Sequence, residues 1–195
     1  MIAVRSLRVF LAVSLVAASV CPGAWASAWV LDPSATRIEF SVRNLSVARV
    51  DGTFRPASGH VTLDDEDPSR SRIEAVIDAA SIDTSEPKRD VHLCSADFLD
   101  VARYPTIAFR STRIERADGD HWKVTGDLTL LGRTRPVLLD IDSSTSEGTR
   151  SSAHATTTID RRDFGMTYAG FAVGKQVVIT IDAVGMNTPA DASPE

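Results

Sequence analysis

Apolar and polar side chains alternate residue by residue from Ala35 to Asn44. Thr36, Ile38, Phe40 and Val42 fall on one side; Arg37, Glu39, Ser41 and Arg43 fall on the other. A period of two is the mark of a strand with one face in a core and the other in water. The same pattern returns over His121 to Leu131, with Trp122, Val124, Leu128 and Leu130 on one side. Gly126 interrupts that side, as at a bend or bulge. Lys175 to Ala183 sets Val177, Ile179 and Ile181 against Gln176, Val178, Thr180 and Asp182. Weaker strand patterns cover Val47–Phe54, Gly59–Asp64, Arg72–Ile82, Thr106–Arg116, Arg135–Asp142 and Ser152–Asp160. Turn signals stand at Asp51-Gly52, Asp67-Pro68, Asp118-Gly119, Gly132 and Glu147-Gly148.

Two stretches break the alternation. Glu86 to Val101 reads as a short helix opened by Pro87, with Ser85 as its cap and Tyr104-Pro105 ending the excursion. Asp160 to Met166 reads as a second helical turn. The total is about eight or nine antiparallel strands with little helix, which permits a sandwich or a closed barrel. The chain has no cysteine pair of the immunoglobulin kind, and a closed barrel leaves no edge to protect. Near eight strands, such a barrel is filled by its side chains or holds one small ligand.

The first 26 residues read as an export signal rather than as part of the fold. Arg5 and Arg8 precede the apolar run Val9 to Cys21, and Ala24-Trp25-Ala26 offers a small-x-small cleavage site. Thirteen helical residues rise only about 20 Å, short of a ~30 Å hydrocarbon core. The expected mature domain is 27–187, followed by a frayed polar tail over 188–195. Its expected location is the periplasm.

The 195 residues carry 21 Lys+Arg and 26 Asp+Glu, a net charge of −5. Loss of Arg5 and Arg8 takes the mature chain to −7. That balance argues against nucleic acid as a partner, which requires clustered cations. The same cleavage removes Cys21 and leaves Cys94 alone, so no internal disulfide is expected.

Candidate chemistry is sparse. Asp163-Phe164-Gly165 spells the kinase metal-binding triplet, but no glycine-rich nucleotide loop or catalytic-loop pattern accompanies it. No G-x-S-x-G elbow is present. His60, His92, His121 and His154 show no metal-ligand spacing, so no metal and no cofactor are expected. The densest polar cluster is Lys88-Arg89-Asp90-Val91-His92-Leu93 with Asp97. It reads as a helix tied to the barrel by ion pairs more readily than as an acid/base group. Cys94 reads as packed rather than reactive.

Several segments together resemble the YceI-like family of exported, polyisoprenoid-binding bacterial proteins. They are Trp29-Val30-Leu31-Asp32, Phe40-Ser41-Val42-Arg43-Asn44-Leu45 and Val50-Asp51-Gly52-Thr53-Phe54. Ala80-Ser81-Ile82-Asp83-Thr84, Arg89-Asp90-Val91-His92-Leu93 and Ser95-Ala96-Asp97-Phe98-Leu99-Asp100 follow. Tyr104-Pro105, Thr125-Gly126-Asp127-Leu128-Thr129-Leu130 and Arg161-Arg162-Asp163-Phe164-Gly165-Met166 complete the set. The chain departs from the family pattern at Asn44, Cys94, Leu99 and Leu131, where basic, imidazole or aromatic groups are usual.

The resemblance implies an all-β fold: a lipocalin-like, extended antiparallel β-barrel of about eight strands with one or two short helices. It also implies an apolar interior that holds an isoprenoid tail, such as that of a polyprenyl phosphate or a quinone. Transient contact with a membrane or a membrane enzyme is a corollary, and no catalytic residue is expected. The expected ligand-lining residues are the inward stripes Ile38, Phe40 and Val42, then Val124, Leu128 and Leu130, then Val177, Ile179 and Ile181. Phe98, Phe109 and Phe164 are expected to shape the mouth or floor. The competing readings are a packed barrel without ligand, serving structure or partner binding, and an enzyme acting on a small lipid.

Overall fold

The computed structural model describes residues 27–44, 48–64, 66–119 and 121–187. The export signal and the tail expected from the sequence lie outside them. Ten strands are described: β1 Ser27–Leu31, β2 Arg37–Asn44, β3 Ala48–Phe54, β4 Pro56–Leu63 and β5 Arg72–Asp78, then β6 Thr106–Arg116, β7 Trp122–Leu130, β8 Arg133–Glu147, β9 Arg150–Asp160 and β10 Val173–Asn187. Each pairs antiparallel with its neighbours. The order β1-β4-β5-β6-β7-β8-β9-β10, with β10 returning to β1, closes an eight-stranded barrel. Closure gives every ring strand a partner on both sides.

The long β10 makes that closure. Its first part, Val173 to Asp182, pairs with β2, and its last part, Gly185 to Asn187, pairs with β1. β1 and β2 therefore lie end to end along it. The corner between them is fixed by the buried Thr36. Its Oγ1 accepts from the Val184 N–H at 3.0 Å and donates to the Val184 carbonyl at 3.3 Å. The β2–β3 hairpin extends the wall, and its outer edge is met by Asp83, which exchanges two backbone hydrogen bonds with Thr53.

Four sequence expectations need correction. β1 was not among the expected strands, because five residues with one clear inward position are too few to show a period. Asp51-Gly52 is no turn: both residues lie within β3, and Gly52 faces Phe40 across the pair. A Cβ at Gly52 would sit 2.6 Å from Phe40 Cζ, so the bare backbone is what admits the ring. β5 ends at Asp78 rather than Ile82. There Asp78 accepts from the Ala80 N–H and opens a 3₁₀ turn over Ala79–Ser81.

The fourth correction concerns the helix. α1 covers only Pro87–Leu93, Glu86 stands at its N-cap, and no side chain caps it. Ser85 instead takes a left-handed backbone with φ of 61°. The second helical turn is present as a 3₁₀ turn over Arg161–Phe164, opened by Asp160 accepting from the Arg162 N–H.

One barrel end, here called the mouth, gathers α1, the 94–105 segment, the β7–β8 turn and the 161–172 segment. The β7–β8 turn is two residues, Leu131 and Gly132, both at positive φ. That is the hairpin geometry whose twist suits flanking strands.

Candidate functional site

Inward positions line the barrel in two different ways. On β7, Val124 is wholly buried, and Leu128 and Leu130 are nearly so. They pack with Ile107, Phe109 and Ile114 of β6 and Leu139 of β8 into one cluster. Gly126 makes room there: a Cβ would run into the Phe109 ring. The bulge that the sequence suggests at Gly126 sits opposite it, on β6 between Ser111 and Arg113.

Along β2 and β10 the inward side chains are less fully covered. Cross-strand pairing sets Ile38, Phe40 and Val42 directly beside Ile181, Ile179 and Val177. Those in turn face Ala155, Thr157 and Ile159 of β9. Ile38, Ala155, Thr157 and Ile159 are buried. Phe40, Val42, Val177, Ile179 and Ile181 are only half-buried. Phe40, Val177, Ile179 and Ile181 pack against the main cluster, so they point inward while keeping accessible surface. Phe54 joins them, its ring 5.3 Å from that of Phe40.

The three mouth-or-floor aromatics separate. Phe109 belongs to the packed wall. Phe164 is 2% exposed beneath the 161–172 segment. Phe98 is buried at the mouth, with ring centroids 5.1 Å from His92 and 5.2 Å from Tyr168. The structure thus brings Ile38, Phe40, Val42, Val177, Ile179 and Ile181 into one patch. Val124, Leu128, Leu130 and Phe109 fall in the packed wall, and Phe98 and Phe164 belong to the mouth.

Two residues escaped sequence reasoning. Arg161 is 2% exposed, and its guanidinium donates to the carbonyls of Met166, Tyr168, Val173 and Gly174 at 2.6 to 3.0 Å. Burial pushes its pKa down, yet four carbonyl oxygens replace the lost water. Hydropathy hides such a residue, since Arg161 and its exposed neighbour Arg162 look alike. Trp29 is the other. It is 7% exposed, and its Nε1–H has no acceptor among the described residues.

The polar cluster of α1 works by hydrogen bonds rather than by the expected ion pairs to the barrel. Asp90 accepts from the N–H and hydroxyl of Thr84, and Arg89 donates to the hydroxyl and carbonyl of the same residue. His92 pairs with Asp97 within the segment at 3.1 Å. Cys94 packs against the core, and burial first, then Asp90 and Asp78, push its thiol pKa up.

Among the described residues no three His, Cys, Asp or Glu side chains gather as metal ligands. No helix among them is long and apolar enough to cross a membrane. Two concavities of about 400 and 500 Å³ lie on the outer wall. Their rims carry exposed ion pairs, Arg110 with Glu74 and Arg37 with Glu39, both at 3.0 Å.

The family model of the YceI-like domain matches residues 29–185, the stretch from β1 through nearly all of β10. The chain belongs to the YceI-like family. The UPF0312 protein of Serratia proteamaculans is 34% identical over 154 residues, covering 76% of this chain and 80% of that protein. Protein YceI of Escherichia coli O157:H7 is 41% identical over 103 residues, but the match spans only 53% of either chain. The chain thus matches about half the length of that relative.

Among solved structures, Burkholderia cenocepacia BcnA shares the YceI-like fold at a TM-score of 0.73 and 22% identity, over 79% of this chain and 98% of that one. A polyisoprenoid binding domain from Saccharophagus degradans superposes at 0.62 with 14% identity, over 82% and 98%. The Campylobacter jejuni YCEI protein does so at 0.61 with 25% identity, over 75% and 89%. The closed antiparallel barrel expected from the sequence is the fold of this family.

Proposed function

We propose that this protein is exported to the periplasm and there holds an isoprenoid-type lipid, a polyprenyl phosphate or quinone tail, inside its barrel. Transport, storage and sequestration all require the same physical act, shielding an oily chain from water. The observation that carries the reading is the loose wall. Phe40, Ile179, Ile181 and Val177 point inward yet keep accessible surface, so apolar area remains there for a guest to cover. Family membership and the likeness to a polyisoprenoid binding domain support it. The Met1–Ala26 pattern supports export.

The energetics suffice without catalysis. Burial contributes about 0.8 kcal/mol per methylene, so a tail of about forty carbons would gain on the order of 30 kcal/mol gross. Non-covalent affinity saturates near about 20 kcal/mol, so tail ordering must offset part of that gain. The apolar stripes need supply no acid or base, and we read the protein as a binder rather than an enzyme.

Native mass spectrometry of protein from isoprenoid-rich cells, followed by organic extraction, is the direct test. The expected result is a mass above that of the apo chain and an extractable prenyl lipid. Apo mass alone, together with no uptake of prenol offered in detergent, would favour a ligand-free barrel. Phe40→Asp should abolish uptake. Arg37→Asp, on the outer face in an exposed pair with Glu39, should leave it intact.

A further inference from the structure

The barrel wall is not laced along its whole height. The ladder between β8 and β9 runs from Glu147 with Arg150 to Asp140 with Thr156, and there it stops. Both strands go on toward the mouth, β8 back to Arg133 and β9 up to Asp160. Over that stretch β8 stays paired with β7, and β9 with β10, but the two are not paired with each other. The sequence supplies two reasons. Pro136 has no N–H to give, and proline is confined to strand edges and bulges. A β-bulge between Ile141 and Ser143 bends β8 just below the parting. The result is a slit in the wall. The Asp140–Thr156 pair bounds it below, and the Arg133 guanidinium lying over Gly165 bounds it above.

Behind the slit lies the less covered part of the lining. Thr157 of β9 faces Ile179, and Ile159 faces Val177. Both β10 side chains are only half-buried. On the outer face, Leu138 stands exposed on one lip, and the exposed Val178 is paired with Thr158 on the other. The mouth, by contrast, is filled. Leu99 and Phe164 are buried there in the main cluster, and Leu93, Val101, Leu131 and Met166 pack against it. A chain entering end-on must push those side chains apart and forfeit their burial. Spreading β8 from β9 above Asp140 breaks no ladder hydrogen bond between them.

We propose that an isoprenoid chain enters and leaves the barrel sideways, through the slit between β8 and β9, rather than end-on through the mouth. This rests on the reading of the barrel as a lipid holder.

The test ties the slit shut. The mature chain carries Cys94→Ala to remove its native thiol. Leu138→Cys and Thr158→Cys then place one thiol on each lip, and a short reducible bis-maleimide joins them. Thr145→Cys with Ser152→Cys, a directly paired couple in the ladder of the same two strands, is the control. Uptake of prenol offered in detergent should slow about tenfold or more with the slit tied and recover on reduction. It should be unchanged with the ladder tied. It should also be unchanged in a chain tied across the mouth from His92→Cys to Tyr168→Cys, where the native rings lie 5.5 Å apart. Native-speed uptake with the slit tied, or equal slowing by the mouth tie, overturns the proposal. So does hydrogen exchange of the untied native chain in which the slit-facing amides of β8 and β9 are as protected as those of their ladder. If the untied native chain takes up no prenol, the lipid-holding reading itself fails. Normal untied uptake that the tie does not slow defeats the sideways route alone.

Discussion

From Val124 to Leu130 on β7 the inward side chains lose nearly all their surface, whereas Phe40 and Val42 on β2 and Val177, Ile179 and Ile181 on β10, at the same period, keep part of theirs. Val124 and Leu128 belong to the first set, Phe40 and Ile179 to the second. The alternating code is identical. The difference lies in what each stripe meets. β7 faces aromatic and branched residues of β6 and β8 that bury it almost completely. β10 faces the lumen with mid-sized side chains and the hydroxyl-bearing Thr157 in its paired row. The first stripe is closed over by its neighbours, and the second keeps part of its surface.

The sharpest way to break this contrast is a pair of truncations. Leu128→Ala on the packed wall should cost about 2–5 kcal/mol in denaturant unfolding, because it deletes transfer energy and leaves a cavity. Ile179→Ala should fall below that range, since its side chain is only half-buried to begin with. Prenyl-lipid affinity should move the opposite way, dropping more for Ile179→Ala than for Leu128→Ala. Equal stability losses with equal affinity losses would mean that the two walls are not distinct.

A smaller effect is expected from overfilling the packed wall. Gly126→Ala would put a methyl into the Phe109 ring and 2.7 Å from the Arg110 carbonyl oxygen. The backbone oxygen cannot rotate away, so the cost should be about 1–3 kcal/mol, read from the urea midpoint. A neutral outcome would show that this wall has slack after all.

The contrast also marks what the sequence made legible. The stripes of β2, β7 and β10 were readable because eight or more residues repeat one period, and their inward faces are as expected. Phe164 and Phe98 were recognisable as special, but their places depend on segments that have no period. The depth of packing was not legible, because alternation encodes side and not neighbour. Ile38 and Phe40 look equivalent in the chain, yet only Ile38 is fully covered. Arg161 was hidden for a different reason. Its charge is compensated by backbone carbonyls from a loop whose course only the fold supplies. The end of β5 and the N-cap of α1 slipped because local hydrogen bonds of Asp78 and the left-handed Ser85 decide them, against a propensity that would have continued the element.

The smallest predicted effect asks whether the loose wall is reinforced from outside. His154 of β9 and Asp182 of β10 are directly paired, and their side chains meet at 2.6 Å on the outer face. The hydrogen bond to Asp182 raises the His154 pKa, burial opposes it, and the charges of Asp142 and Asp182 add to the rise. A histidine whose pKa is higher folded than unfolded stabilises the fold fully below its unfolded value, near about 6.5. That contribution is lost as pH rises through the raised folded value. The side chains are 37% and 57% exposed, so the contribution should stay below about 1 kcal/mol. The urea midpoint of the native chain should therefore fall slightly as pH rises from about 6 to about 9, and His154→Gln should remove that component of the slope. An unchanged slope in His154→Gln would mean that the β9–β10 seam draws its strength from backbone pairing alone, and that the loose wall needs no brace on its outer side.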